Sequence, residues 1–393
     1  MDSARLRAWW FHRQGLDGSL KNSSIADSLT RCGWARSVGG SSPYLGFFAR
    51  LGARRQAVDD AVAKVEIHEL PAARGCTYIV PAADYPLALR IAGNLPDSEM
   101  KVAQKLGVTD DEVYGLGVAI MDVLCDGASL DPDGLKQALG TQVRSLGEEG
   151  RKKGLATTLP LALGSLQVQG QIRRIPINGR LDQQRYRYQL WEPTPLNTAP
   201  PATEPVHTTL ARRYFDWTAP ATLSEFQWFS GLGVKAAKAA IDPLQLAEIE
   251  ANRLLPANLA DAFAAFKTPK NPQYALVGSI DGMFLLRRDL KSLTADEDLH
   301  SLVQGDKGGV ELGSVADLPS HAILDRGRII GLWEYDPTTE SIAWATFGKA
   351  DAAVTQAVKE MEQFVKTDLG DVRSFSLDSP KSRAPRIAAL RAS

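Results

Sequence analysis

The spacing of apolar positions changes period partway through residues 128–191, and the change predicts the elements there. Leu135, Ala138 and Leu139 recur at helical spacing behind Asp131-Pro132, a carboxylate placed to cap a helix that opens with proline. Leu159, Leu161, Leu163 and Leu166 predict a second helix that begins near Thr157 and stops before Gly170. From Ile172 to Ile177 the run turns strand-like, and Asn178-Gly179 offers the positive φ angles of a type I′ turn. Residues 180–190 then return with arginine and tyrosine alternating at period two. Helix, turn, helix and two-stranded ribbon, in that order, predict a winged helix-turn-helix.

The same reading extends along the chain. Leu6, Trp9, Trp10 and Leu16 place an amphipathic helix over residues 4–16, and a short helix over 24–32 follows. A glycine- and serine-rich loop over 33–43 precedes an aromatic helix over 44–51; its main-chain and hydroxyl donors suit either a connector or a phosphate or sugar contact. Residues 59–65 read as helix, 73–81 as a β-rich run ended by Pro81, and 102–106 and 111–124 as helices. Five prolines between Pro193 and Pro205 mark a linker. Beyond it come a helix over 208–217, a capping box at Thr222-Leu-Ser-Glu225, and a second helix over 234–241 bearing Lys235 and Lys238, which make another helix-turn-helix. From Leu254 short β runs take over at 274–280, 283–287, 321–324, 328–335 and 341–347, with Asp281-Gly282 and Asp325-Arg-Gly327 as turn signals. An amphipathic helix over 349–365 leads into a loosely ordered basic tail containing Lys381, Arg383, Arg386 and Arg391.

The expected class is therefore α+β: tandem winged helix-turn-helix domains with a C-terminal β-rich, barrel-like domain. The expected boundaries are winged-helix domains at 1–95 and 96–192, a proline-rich linker at 193–206, a third helix-turn-helix domain at 207–253, the β-rich domain at 254–350, and a terminal helix and tail at 351–393.

Charge changes the picture from fold to chemistry. The whole chain carries a formal net charge of −1, yet between Arg144 and Arg187 nine basic residues face three acidic ones. Positive charge concentrated on one winged unit suits a phosphate backbone, where neutralised phosphates release counterions. The alternative is a solvated face with Tyr186 and Tyr188 packed beneath it. The expected contacts to double-stranded DNA are Arg151, Lys152, Lys153, Arg173, Arg174, Arg180, Arg185 and Arg187, with Lys235 and Lys238 on the later helix. Cys32, Cys76 and Cys125 are odd in number and far apart, and His12, His68, His207, His300 and His321 are scattered, so no disulfide framework, metal or cofactor is expected. No apolar run is long enough to span a bilayer and the N-terminus lacks signal-peptide architecture, so a monomer in the cytoplasm, associated with the nucleoid, is expected.

Several stretches carry a resemblance. Ser42-Pro-Tyr-Leu-Gly-Phe-Phe-Ala-Arg50 and Arg74-Gly-Cys-Thr-Tyr-Ile-Val-Pro-Ala-Ala-Asp84 are similar to the N-terminal region of the AlkZ/YcaQ-like winged-helix family, which includes DNA glycosylases that excise bulky alkylated or crosslinked bases. Residues 221–232, 253–256 and 322–333 resemble later parts of the same family. The resemblance implies a catalytic Gln-x-Gln or Gln-x-Asp motif in the loop before the Pro-Tyr-Leu helix, positioning water at the glycosidic carbon. Here those positions hold Arg36 and Val38, or Ala35 and Ser37 in the neighbouring register, so no carboxamide or carboxylate is supplied. Tyr78 stands where the family has a histidine after the Arg-Gly pair, and Arg74 and Tyr78 join the residues expected to face DNA. Gln167-Val168-Gln169 has the form of the motif but lies in the wrong domain.

Cleavage of a nucleoside passes through an oxocarbenium-like state that wants a carboxylate or a positioned water. Glu66 and Glu69, flanking His68, are the substitutes the sequence offers; an exposed polar strand edge is the plainer reading of the same residues. The function expected is thus that of a winged-helix DNA-binding protein of glycosylase type with its chemistry altered or lost. The alternative is a non-catalytic DNA-binding regulator or damage-shielding protein.

Overall fold

The computed structural model describes residues 2–95, 97–305 and 308–393; Pro96, which opens the expected second domain, Met1, Asp306 and Lys307 lie outside the described residues. Two compact units divide the chain. The first comprises Met1–His68, Tyr78–Ala82 and Glu204–Ser393, and the second Glu69–Thr77 and Ala83–Thr203.

In the second unit the amphipathic patterns become helices Asp110–Val123, Pro132–Leu139 and Leu159–Val168, with a short helix Gly147–Lys152 between the last two. Leu116, Ile120, Leu135, Leu139, Leu161, Leu163, Leu166 and Ile172 bury their side chains together. Each such side chain contributes about 1.5–3 kcal/mol by leaving water, which holds helices too short to persist alone. The Asp131 carboxylate accepts from the Gly134 amide at 2.8 Å and caps its helix as the sequence predicts. Ile172–Pro176 and Tyr186–Leu190 pair antiparallel, with Arg174 opposite Tyr188 and Ile175 opposite Arg187.

The hairpin forms, but not with the tight type I′ turn expected at Asn178-Gly179. The ladder ends at Pro176 opposite Tyr186, and only Gly179 of that pair has positive φ. Leu181 and Asp182 are buried instead, and Arg180 pairs with Asp182, so the connection folds inward as a longer loop.

The first unit opens with helices Ser3–Arg13, Ile25–Cys32, Ser42–Leu51 and Arg55–Ala63. Trp9 and Trp10 anchor the first helix, donating indole N–H bonds to the carbonyls of Ala219 and Pro220 at 2.8 and 3.1 Å. After the proline-rich stretch come helices Val206–Thr218, Leu223–Ser230 and Val234–Ile241, and the Thr222/Glu225 capping box is present with both bonds. Arg253–Leu255 is the centre of a small sheet flanked by Ala221–Thr222 and Ala247–Ile249.

The C-terminal strands do not close into a barrel among the described residues. Tyr274–Val277, His321–Asp325, Arg328–Asp336 and Ser341–Thr346 form one open antiparallel sheet in that chain order, and Leu302–Gly305 with Gly308–Glu311 forms a separate two-stranded ribbon. Helix Ala352–Phe364 and a last helix Pro380–Ala392 pack on the open sheet. A sheet with its outer strands left open needs such covering.

Two further expectations fail for identifiable reasons. Residues 283–287 are not a strand: Asp281 accepts from the Met283 amide at 2.8 Å and starts the short helix Gly282–Leu285. Nor is the basic tail loose. Arg383 is fully buried and grips Asp371 with two bonds of 2.8 and 3.0 Å, while Arg386 reaches Glu334 at 2.7 Å and Asp378 at 2.9 Å. The arginines read as part of a loosely ordered tail are the clamps that fasten the last helix. No helix of the described residues is long and apolar enough to cross a membrane.

Candidate functional site

The loop at the motif-equivalent positions is set by an aromatic wall in the first unit. Gly33 ends helix Ile25–Cys32 at φ 103°, and a Cβ there would meet the Trp217 ring at 3.2 Å, so only glycine lets the chain turn so close. Trp34 then buries against Trp217, Tyr78 and Phe229. Ala35–Arg36 makes a two-residue strand opposite Ile79 and Tyr78, and the Arg36 guanidinium lies 5.4 Å from the centre of the buried Tyr78 ring. Tyr78 therefore acts as the platform on which Arg36 rests. Ser37 is buried and Val38 half-buried.

Beneath this loop is a small cavity lined in part by Gln14, Cys32, Arg36, Ser42, Arg50 and Asp281. Its volume of about 30 Å³ holds a water or two and excludes a nucleobase. The polar groups around it are largely committed to one another. Arg50 makes a bidentate pair with Asp281 at 2.7 and 2.8 Å, and a third bond runs from Arg50 to the Gln14 side-chain oxygen, Oε1, at 3.2 Å. Burial alone would lower the Arg50 guanidinium, but the Asp281 carboxylate raises it, so the guanidinium stays charged. Burial pushes the Cys32 thiol up, against the pull of Arg50. Gln14 donates to the Cys32 carbonyl at 2.8 Å. The Ser42 hydroxyl has no hydrogen-bond partner among the described residues.

The two candidate carboxylates fall in unlike surroundings. Glu66 is exposed, just ahead of strand Ile67–Pro71. Glu69 is 4% exposed and forms an ion pair with Arg174 at 3.5 Å. Arg174 also stacks 4.5 Å over the Tyr186 ring. Burial would lower the Arg174 guanidinium, yet Glu69 raises it; burial pushes the Tyr186 hydroxyl up and Glu69 adds to that. Glu69 is thus a counterion inside the second unit.

The basic residues divide the same way. Arg185 and Arg187 are exposed while Tyr186 and Tyr188, on the alternate positions, turn inward, which is the period-two pattern read from the sequence. Arg151, Lys152 and Lys153 are exposed at the end of helix Gly147–Lys152, with Lys152 3.4 Å from Glu148. Arg173 is half-buried opposite Gln189 in the ribbon, Arg174 is paired to Glu69, Arg180 is tied to Asp182, and Arg144 makes two bonds to Glu112 at 2.7 and 2.9 Å. Arg74 is exposed at φ 59°, and Lys235 and Lys238 are exposed on helix Val234–Ile241. Gln167 and Gln169 bond locally, to the Leu163 carbonyl and the Ser165 hydroxyl. Among the described residues no group of three or more His, Cys, Asp or Glu side chains is arranged to hold a metal ion.

The Arg50–Asp281 pair and Gln14 escaped the sequence reading. The one local signal was a charged residue on the buried face of an apolar helix, four positions after Gly46, whose carbonyl Arg50 also bonds at 3.1 Å.

Comparison with known proteins bears on this arrangement. No curated protein matches the sequence. Among solved structures, the Streptomyces sahachiroi DNA glycosylase AlkZ shares the fold with a TM-score of 0.69 at 20% identity, over 94% of this chain and 97% of that one. The family model described as DNA glycosylase AlkZ-like matches residues 31–364. With that match running from the loop of Arg36 through the open sheet to the helix that covers it, the chain belongs to the AlkZ-like DNA glycosylase family.

Proposed function

We propose that this chain binds duplex DNA through a winged helix-turn-helix in its second unit, and that its base-excision chemistry is altered or lost. The observation that carries the binding is the outer edge of the ribbon, where Arg185 and Arg187 stand in solvent above inward-facing tyrosines, with Arg151, Lys152 and Lys153 exposed in the same unit. Helix Leu159–Val168 is the recognition helix in this reading and the ribbon is the wing. The DNA glycosylase family to which the chain belongs agrees with DNA as its substrate.

The test is fluorescence anisotropy of a labelled duplex across a salt series, comparing wild type with Arg185→Ala/Arg187→Ala. Losing two phosphate contacts is expected to weaken binding and to flatten the slope of log K against log salt by roughly 2, at about 0.9 per phosphate. An unchanged affinity and slope removes the wing from the interface.

A second reading, a binding protein that shields or regulates DNA without cutting it, is favoured by the motif loop. Arg36, Ser37 and Val38 bring no side-chain amide or carboxylate there, and Asp281, a buried carboxylate lining the cavity beneath the loop, is held twice by Arg50. Of the two carboxylates the sequence offers, Glu69 is paired to Arg174 and Glu66 is exposed, so Glu66 is the one an altered mechanism would use.

A further inference from the structure

The segment 371–378 roofs the motif loop. The Ser376 amide donates to the Val38 carbonyl at 3.1 Å, the Ser41 amide to the Arg373 carbonyl at 2.8 Å, and the Ser41 hydroxyl to the Asp371 carbonyl at 3.3 Å. Gly40 lies so close that a Cβ would stand 2.4 Å from the Arg373 carbonyl oxygen.

The segment is also rigidly built. Asp378 closes a tight turn, accepting from the Ser374 amide at 3.0 Å while its own amide donates to the Phe375 carbonyl at 3.0 Å. Arg386 fixes the Asp378 carboxylate from behind, and Ser279 and Ser374 share a hydroxyl contact of 3.0 Å. At the tip of this turn two large apolar side chains point into water: Phe375 is 46% exposed and Leu377 82% exposed. A fastened turn that holds two apolar groups in solvent is pre-organised for an apolar surface it does not itself contain.

We infer that Phe375 and Leu377 form a wedge that packs against an unstacked base of bound DNA. The inference rests on the duplex-binding reading. Three observations select this occupant. The tip is bonded through Ser376 to the very loop that holds the motif-equivalent positions. Lys381, four residues beyond Leu377, is exposed, while the carboxylates nearby in sequence, Asp371 and Asp378, are engaged by Arg383 and Arg386. A base offers the flat apolar face such a pair fits, and proteins that reach a base within a duplex commonly insert an apolar wedge to unstack it.

The experiment uses full-length protein and a duplex carrying an N7-alkylated guanine with 2-aminopurine beside it. Wild-type binding, followed independently by anisotropy, is expected to raise 2-aminopurine fluorescence several-fold as the base leaves the stack. Phe375→Ala/Leu377→Ala is expected to lose most of that rise at saturating protein while unfolding at the same temperature as wild type, because both side chains lie on the surface. An equal rise in the variant overturns the wedge. Binding by wild type without any rise overturns the wedge and leaves the duplex reading intact, whereas no binding at all overturns both. If light scattering finds wild type dimeric and the variant monomeric, the tip covers a second copy of the chain and the inference falls.

Discussion

Glu69 and Arg174 form an ion pair at 3.5 Å inside the second unit, with the glutamate side chain 3% exposed and the arginine 20%. Glu69 lies three residues after Glu66, yet the two serve different ends: one carboxylate is a buried counterion and the other stands in solvent. Truncating one partner of a buried pair leaves the other charge without compensation. Glu69→Gln is expected to cost about 3 kcal/mol, whereas Glu66→Gln should change stability by less than about 0.5 kcal/mol. Urea unfolding of the two variants checks this, and equal effects would remove the distinction.

The same pair of variants bears on catalysis. Single-turnover assays with crosslinked and N7-alkylated duplex are expected to show tight binding by wild type with no base release above the uncatalysed background. Release that disappears in Glu66→Gln alone would assign the altered chemistry to that carboxylate. Release unaffected by either substitution would place the reacting group elsewhere.

Gly40→Ala tests the roof over the motif loop. The added methyl meets the Arg373 and Ser374 carbonyl oxygens at 2.4 and 2.5 Å, and backbone atoms have little room to retreat. A cost of about 1–3 kcal/mol is expected from this overpacking. Limited proteolysis should then cut within 371–379, a region expected to resist cleavage in wild type. An intact segment in the variant would show that the close approach is not a constraint.

Acid sensitivity should trace in part to His321. Burial pushes its imidazole from the usual 6.5 down to about 3, while its Nδ1 accepts from the Ser279 amide at 3.1 Å. The folded state binds a proton less readily than the unfolded chain, so this group's contribution is fully present above pH 6.5 and is lost as the pH falls toward 3. The slope is about 1.4 kcal/mol per unit, or roughly 2 kcal/mol between pH 6.5 and 5. Glu334, whose carboxyl is raised by burial against the pull of Arg386, works in the opposite direction. His321→Asn keeps an acceptor for Ser279 and is expected to lose stability less steeply than wild type over that window. Parallel slopes for the two proteins would exclude His321 as the source.

What was legible in the sequence was local. The Asp131 cap, the Thr222/Glu225 box and the alternation of Arg185, Tyr186, Arg187 and Tyr188 depend on neighbours within a few residues, and each folds as read. Where burial from afar decides, the reading fails. Asn178-Gly179 carries a strong turn signal, but buried Leu181 and the Arg180–Asp182 pair draw the chain into a longer loop. Met283 and its neighbours are a short apolar run that fits strand or helix equally, and Asp281 settles the matter. Arg50 finds that same Asp281 across 231 residues of chain, a partnership no spacing rule contains. The tail read as loosely ordered because Asp371, Asp378 and Glu334, the partners of its arginines, are recognisable only once the sheet has formed.

The roof also imposes an order on synthesis. Residues 83–203 of the second unit are contiguous and can pack while the ribosome is still at work, but the first unit is assembled from both ends of the chain. A nascent chain that has reached residue 364 still lacks the donor to Val38 and the acceptor for Ser41. The loop at the motif-equivalent positions is therefore completed only once residue 376 has left the ribosome, so a product truncated before it would lack a finished loop.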